Sequence, residues 1–393
     1  MAWLKTLAET YDVYSDLAGV DRNGQAVLLP VSHSTFNAQI EVTIDKEGNF
    51  QGAKKLEKGR DVVTIIPVTE DSAARGNGNF PHSLCDKLCY IAGDYTLYTG
   101  DDMEEYYEAY MAQLRDWVKS DYTHPMVQAV YTYLEKKLLI HDLVTSKTLE
   151  LDDNGKLTDQ TKIHGSGQTG ANIRFIVRGS SMPQEVWKNQ ELYKKYSEYY
   201  QQKSSNKKLC YASGEIKLCS DKHPSKIRNS ADKAKLISGN DESGFTYRGR
   251  FTSKEQAASV GYDTSQKAHN ALRWLIQKQG YTCDESAIVC WMVNRDVQLP
   301  DMMKDSINAC NDIENFDFDF NMIGSDETLK MNKHDTGKYF AEKFNNAVKG
   351  YIGNFTIDDK VAIIALDGAD TTKGRISVAF YDEMGGKQYA DAI

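Results

Sequence analysis

The chain has 393 residues, 40% hydrophobic, 26% charged and only 7 of them proline, which implies two or three structural blocks with enough apolar material to offset chain entropy. A mini-scaffold, a collagen and a wholly disordered chain are thereby excluded. Its 47 basic and 56 acidic residues leave a net charge of -9, which excludes nonspecific coating of nucleic acid, because such binding rests on phosphate neutralisation and counterion release.

In chain order, Trp3, Leu4, Leu7, Ala8, Tyr11 and Tyr14 recur at helical spacing ahead of Gly19, so an amphipathic helix is predicted first. Strands are predicted at 26–29, 36–44 and 61–68. In the second, Phe36, Ala38, Ile40, Val42 and Ile44 alternate with polar residues, and Asp45 to Asn49 (DKEGN) supplies a turn. These runs read as a meander with a half-exposed middle strand. A loop-rich stretch at 70–80 precedes a helix predicted over 83–92, with Leu84, Leu88 and Ile91 on one face. Two helices are predicted within 101–141, a turn at Asp152, Asn154 and Gly155, and a strand at 172–177. A helix at 183–200 follows, with Trp187, Leu192 and Tyr196 as core anchors.

Residues 203–250 change character: 11 Lys and Arg stand against five acids, a net of +6, so the remainder carries -15. A helix is predicted at 265–279 and a buried strand at 287–293 (AIVCWMV). Residues 301–335 hold nine acids and three lysines, and strands are predicted at 361–366 and 375–381. The expected fold class is α+β, with mostly antiparallel sheets, flanking helices and a basic, loop-rich insertion. Four blocks are expected: 1–100, the strand meander and a glycine-rich basic loop; 101–202, a helical pair, strand and helix; 203–255, the basic insertion; and 256–393, a second α+β block.

Seven cysteines, an odd count thinly spread, and the absence of a basic-then-apolar leader in MAWLKTLAETYD point to reduced thiols and a cytoplasmic address, and no apolar run reaches the ~18 residues of a spanning helix. Gly165 to Gly170 (GSGQTG) formally fits G-x-G-x-x-G, but it precedes a strand instead of opening a helix, so a loop is the favoured reading. No phosphate-binding G-x-x-x-x-G-K-[ST] occurs. Cys210, Cys219 and His223 could supply zinc ligands, yet no C-x-x-C accompanies them, and ordinary buried thiols are favoured. Cys85 and Cys89 read as core. Asp317 and Asp319, alternating with Phe316, Phe318 and Phe320, could share a strand face and bind a hard cation for phosphodiester cleavage. A solvated face opposite buried rings is the simpler account, and the looser set Asp367, Asp370 and Lys373 is weighed the same way. No catalytic residue, metal site or cofactor is assigned.

The loop Arg75-Gly76-Asn77-Gly78-Asn79-Phe80 carries more information. Glycines admit a polynucleotide close to the backbone, while Arg and Asn can read guanine and adenine edges; a simple turn is the alternative. The basic stretch interleaves Tyr211, Phe245, Tyr247 and Phe251 with its cations, suiting phosphate contact with stacking or, equally, a solvated loop.

Several segments together resemble, in order, the large subunit of the subtype I-C CRISPR interference complex, Cascade, also known as the Dvulg-subtype large Cas family. They are WLKTLAETYD, ARGNGNFPHSLCDKLCYIAGD, ANIRFIVRG with VWKNQELYKKYSEYY, CYASGEIKLCSDKHPSKIR, SQKAHNALRWLI, AIVCWMV and GRISVAFY. The resemblance implies a DNA-binding subunit, not a stand-alone enzyme. Such a subunit sits beside the one that holds the guide RNA 5′ handle, inspects duplex DNA for the protospacer-adjacent motif, supports unwinding and docks the helicase-nuclease. Guide pairing reads the remaining sequence. The implied partners are the crRNA, double-stranded target DNA, the handle-binding and backbone subunits of Cascade and the helicase-nuclease, with no membrane. Arg75, Gly76, Asn77, Gly78 and Asn79 match the family's basic loop and are expected at the motif or handle, with the loop's side chains dispensable for folding. Lys222, His223, Lys226 and Arg228 match the region around His-Pro and are expected on phosphates, with Arg248 and Arg250 as a weaker extension. The family extends further, into a C-terminal helical region resembling a small subunit. This chain stops at Ile393, so that role is not assigned to it.

Overall fold

A computed structural model describes residues 1–21, 26–75, 78–203, 207–229, 231–238, 251–283, 285–294, 299, 358–368 and 375–392. The chain divides into two compact units that are not contiguous in sequence: residues 16–225 with 237–270, and residues 1–15 with 226–236 and 271–393. Helices and mostly antiparallel open sheets make up both, an α+β protein.

The larger unit is organised around a three-stranded sheet in which Ile40–Asp45 lies between Phe50–Lys55, antiparallel, and Ile173–Arg178, parallel. Ile40, Val42 and Ile44 from the central strand, with Ile173, Phe175 and Val177 from its parallel neighbour, are fully buried. Over them pack helices Glu104–Val118, Pro125–Glu135 and Gln190–Lys203, through Tyr110, Trp117, Val130, Tyr133 and Tyr196. Period-2 burial on the strands meets period-3.6 burial on the helices, which is what one core requires. The one buried ion pair in the sheet joins the strands: Arg174 donates to Glu41 at 2.7 and 3.0 Å and lies 3.8 Å from the Trp187 ring.

Several sequence expectations are corrected here. Residues 26–29 form no strand. The single strand predicted at 36–44 is two, His33–Asn37 and Ile40–Asp45, in different sheets. Side-chain alternation continues through the break, but the backbone changes partners: Ala38 donates to Val62, whereas Gln39 donates to Asn172. The helix predicted over 83–92 survives only as Leu88–Ile91, because Asp86 takes the amide of Lys87 and Leu84 adopts φ +65°. Residues 101–141 enter three helices, the third being Leu139–Thr145, since Lys137 turns the chain at φ +56°. The predicted turn at 45–49 joins Ile40–Asp45 to Phe50–Lys55, a strand absent from the sequence expectations.

The smaller unit contains a four-stranded antiparallel sheet in the order Tyr281–Cys283, Ser286–Met292, Lys360–Gly368, Ile376–Gly385. The opening helix Ala2–Val13 buries Leu4, Leu7 and Tyr11, and Trp291 fastens the sheet to it by donating to Thr10 Oγ1 at 2.9 Å. Among the described residues no helix is long and apolar enough to cross a membrane.

One buried histidine gives the fold a pH signature. His33 donates from Nδ1 to Val31 at 2.8 Å, with Tyr193 and Tyr196 edge-on at 4.8 and 5.6 Å. Burial lowers its imidazole from 6.5 to about 4. The unfolded chain therefore takes up a proton that the folded chain refuses, and stability is lost as pH falls from 6.5 towards 4, by about 3 kcal/mol in full. Titration of the ring resonances by NMR should find His33 neutral at pH 5; a midpoint near 6.5 contradicts this packing.

Candidate nucleic-acid interface

The glycine-rich loop leaves a short helix, Glu70–Ala73, whose Thr69 and Ser72 hydroxyls cap one another's amides at 3.0 and 2.9 Å. Arg75 then turns inward. Its guanidinium donates to both oxygens of Asp86, at 2.8 and 2.9 Å, and to the Phe80 carbonyl at 3.2 Å, and it lies 4.6 Å from the Tyr90 ring centre. The Asp86 carboxylate is wholly buried and also accepts from the amides of His82 at 2.7 Å and Lys87 at 2.8 Å. A buried charge is tolerated when paired and saturated with donors in this way.

Arg75 is thus committed inside the fold, closing the loop at both ends. The Arg75 side chain, expected at the motif or handle, is here 14% exposed and bound to Asp86. Asn79 is engaged too, donating to the Glu105 carbonyl at 3.0 Å. Gly78 accepts from the Tyr90 hydroxyl at 3.3 Å, and a Cβ there would lie 2.2 Å from the Phe80 ring as it is placed, so a side chain at 78 would displace that ring. Gly76 and Asn77 lie outside the described residues.

The structure brings part of the His-Pro stretch to this loop. Lys222 Nζ is 2.6 Å from Asp71 and 5.7 Å from the centre of the Phe80 ring, while the Asp221 amide donates to Glu70 at 3.3 Å. Lys222 and Phe80 are 35% and 40% exposed, the side chain in the first case and the residue in the second. A cation and a ring therefore stand together at the surface, from segments with no local relation in sequence. His223 does not join them: it is buried, with Nδ1 2.8 Å from Ser265 Oγ and its ring stacked at 6.1 Å on His269.

Lys226 and Arg228 belong to the smaller unit. Arg228 is buried and forks onto Asp232 at 3.0 and 3.1 Å, with Glu285 completing the set at 3.2 Å. Expected on a phosphate, its side chain is here 4% exposed and held by these carboxylates. Lys226 sits at φ +62°, with its amide on the Asp232 carbonyl; burial and the charge of Arg273 hold its ammonium below the ordinary range. Arg248 and Arg250 lie outside the described residues.

Cys210, Cys219 and His223 do not form a zinc site: among the described residues no three His, Cys, Asp or Glu side chains gather around a point that could hold a metal. Burial pushes the Cys210 thiol up, but the Ser213 hydroxyl and the amides of Gly261, Ser213 and Ala212 outweigh it and hold it below the usual range. Asp317, Asp319, Asp370 and Lys373 lie outside the described residues, and Asp367 accepts from Ser286 at 3.3 Å. Residues 165–170 form a strand of a small hairpin and a 3-10 turn, with no helix to receive a pyrophosphate. Sequence reasoning missed Asp86 and Tyr90 as members of the site, and it included Phe80 in the loop without giving its ring a role. Only the run of non-helical residues from Gly76 to Pro81 signals that a loop there needs an anchor.

The sequence matches the family described as CRISPR-associated protein (Cas_Csd1) over residues 10–393. None of the curated proteins matches it.

Removing either member of the buried pair strands the other. Arg75→Ala and Asp86→Ala should each cost about 3–5 kcal/mol in urea denaturation, and the double variant should cost less than their sum. Wild-type stability in either single variant contradicts the anchoring role.

Proposed function

Because the chain belongs to the Cas_Csd1 family of CRISPR-associated proteins, we propose that it is the large, non-catalytic subunit of a type I-C interference complex. In this reading it works in the cytoplasm and inspects target duplex DNA for the protospacer-adjacent motif. It lies against the crRNA 5′ handle, supports unwinding and recruits the helicase-nuclease, while guide pairing reads the rest of the target. Its neighbours are the handle-binding and backbone subunits.

The observation that carries the reading within this chain is the pairing of Lys222 with Phe80 at the rim of an anchored glycine loop. A lysine neutralises phosphate, an exposed ring gives a base a stacking surface, and small residues between Arg75 and Phe80 let a strand approach the backbone. The buried Asp86 fixes the rim, so contact geometry costs little further ordering on binding. The chain's net charge of -9 confines phosphate contact to such local features and makes binding depend on the assembled complex.

The test uses the complex reconstituted with guide RNA and duplexes differing only in the adjacent motif. Lys222→Ala should weaken binding and reduce the salt slope by about one unit. Phe80→Ala should lower affinity about 5- to 100-fold, the range of one lost stack. Affinity and salt slope unchanged in both variants would overturn this assignment of the interface.

A further inference from the structure

The surface around Lys222 is acidic despite its lysine. Asp71 holds Lys222 at 2.6 Å, Asp221 beside it holds Lys254 at 3.2 Å, and the Glu70 carboxylate accepts from the Asp221 amide at 3.3 Å. Three carboxylates thus stand against two lysines. Asp71 is firmly placed: it lies in the capped helix Glu70–Ala73, whose first amide donates to the Tyr200 hydroxyl at 3.1 Å. An aspartate has only two side-chain torsions, so a carboxylate displaced from Lys222 stays near it. Phe80 completes the rim. Its ring rests against Gly78, its carbonyl is fixed by Arg75 at 3.2 Å, and 40% of the residue is open to solvent.

We infer that the rim takes an unpaired nucleotide, its base on Phe80 and its phosphate on Lys222, and turns away the backbone of a closed duplex. A closed duplex offers phosphates but no free base face, because its bases stack on one another. Those phosphates gain little from Lys222, whose charge Asp71 has already met, and they are repelled by Glu70, Asp71 and Asp221. An unpaired nucleotide brings a stack worth about 5- to 100-fold in affinity, against about two- to fivefold for displacing an exposed ion pair. The stack therefore decides. The same carboxylate that opposes a phosphate accepts from the amino and imino groups that a base exposes only when its pairing edge is free. Asp71 is on this account a specificity-determining residue, which penalises any ligand arriving without a free base.

This selectivity rests on the interface proposed above, and one set of measurements separates the two. The complex with its guide RNA is titrated with three ligands of one sequence that the guide does not match: single-stranded DNA, single-stranded RNA and closed duplex DNA. Phe80→Ala should weaken single-strand binding about 5- to 100-fold and leave the closed duplex unchanged. Phe80→Leu, which keeps most of the volume and removes the ring, serves in its place where the alanine variant melts differently from wild type. Asp71→Asn should strengthen duplex binding about two- to fivefold, narrowing the preference for single strands, and should do nothing once Lys222 is replaced by alanine. A loss on DNA assigns the nucleotide to the target and a loss on RNA to the guide; either supports the selectivity. Equal losses on single strands and duplex from Phe80→Ala, or a single-strand preference unmoved by Asp71→Asn, overturn it while Lys222→Ala still weakens guide-matched binding. If Lys222→Ala and Phe80→Ala leave guide-matched binding untouched, the proposed interface falls, and the selectivity with it.

Discussion

The loop that carries the functional reading exists because Asp86 is buried with its charge. A carboxylate inside a core requires a counter-charge and donors on every side. Arg75 supplies the first, and the amides of His82 and Lys87 supply the rest. The same segment is stitched to the central sheet. The Asp86 carbonyl accepts from Ile173, Lys87 bridges to Asn172, and Leu88 donates to the carbonyl of Ala171. Arg75 and Phe80, joined through Asp86, are thus tied to the strand Ile173–Arg178, itself buried in the core. Whatever approaches that rim meets a surface whose position is set by the sheet.

This arrangement separates two kinds of cation that look alike in sequence. Arg75, Arg174 and Arg228 each answer an internal carboxylate, Asp86, Glu41 and Asp232 respectively. The planar guanidinium suits that work, since one fork can satisfy two oxygens and still stack on a ring, as Arg75 does on Tyr90 and Arg174 on Trp187. Lys222 is different: its partner Asp71 is half exposed, and a surface pair of that kind is worth little and exchanges readily. Of these four cations, Lys222 is the one held by a pair that a phosphate can displace.

The elements that were legible in sequence are those whose burial is periodic. Leu4, Leu7 and Tyr11 mark the first helix, the apolar run at 287–293 marks a central strand, and Leu192 and Tyr196 fall in the core as their spacing requires, whereas the helix predicted from 183 begins at Gln190 and Trp187 is buried from the 3-10 turn Val186–Lys188 before it. What was illegible depends on partners distant in the chain. Alternation from Phe36 to Ile44 is intact, yet nothing in it signals that the backbone changes sheets at Ala38 and Gln39. Leu84, Leu88 and Ile91 have helical spacing, but Asp86 competes for the backbone amides and wins. Arg75 and Asp86 follow no helical or strand period that would pair them, and Lys222 meets Phe80 only through the tertiary fold. The structure separates side chains that are paired inside, such as Arg75 and Asp86, from those at the surface, such as Lys222 and Phe80.

The most direct test of the central claim, that this chain gives a CRISPR complex its sensitivity to the protospacer-adjacent motif, is an omission experiment. The complex is reconstituted with and without the chain, and its binding is measured on guide-matched duplexes that differ only in that motif. The account predicts tight, motif-dependent binding with the chain present and loss of motif dependence without it. Equal discrimination between the duplexes in its absence would contradict the account.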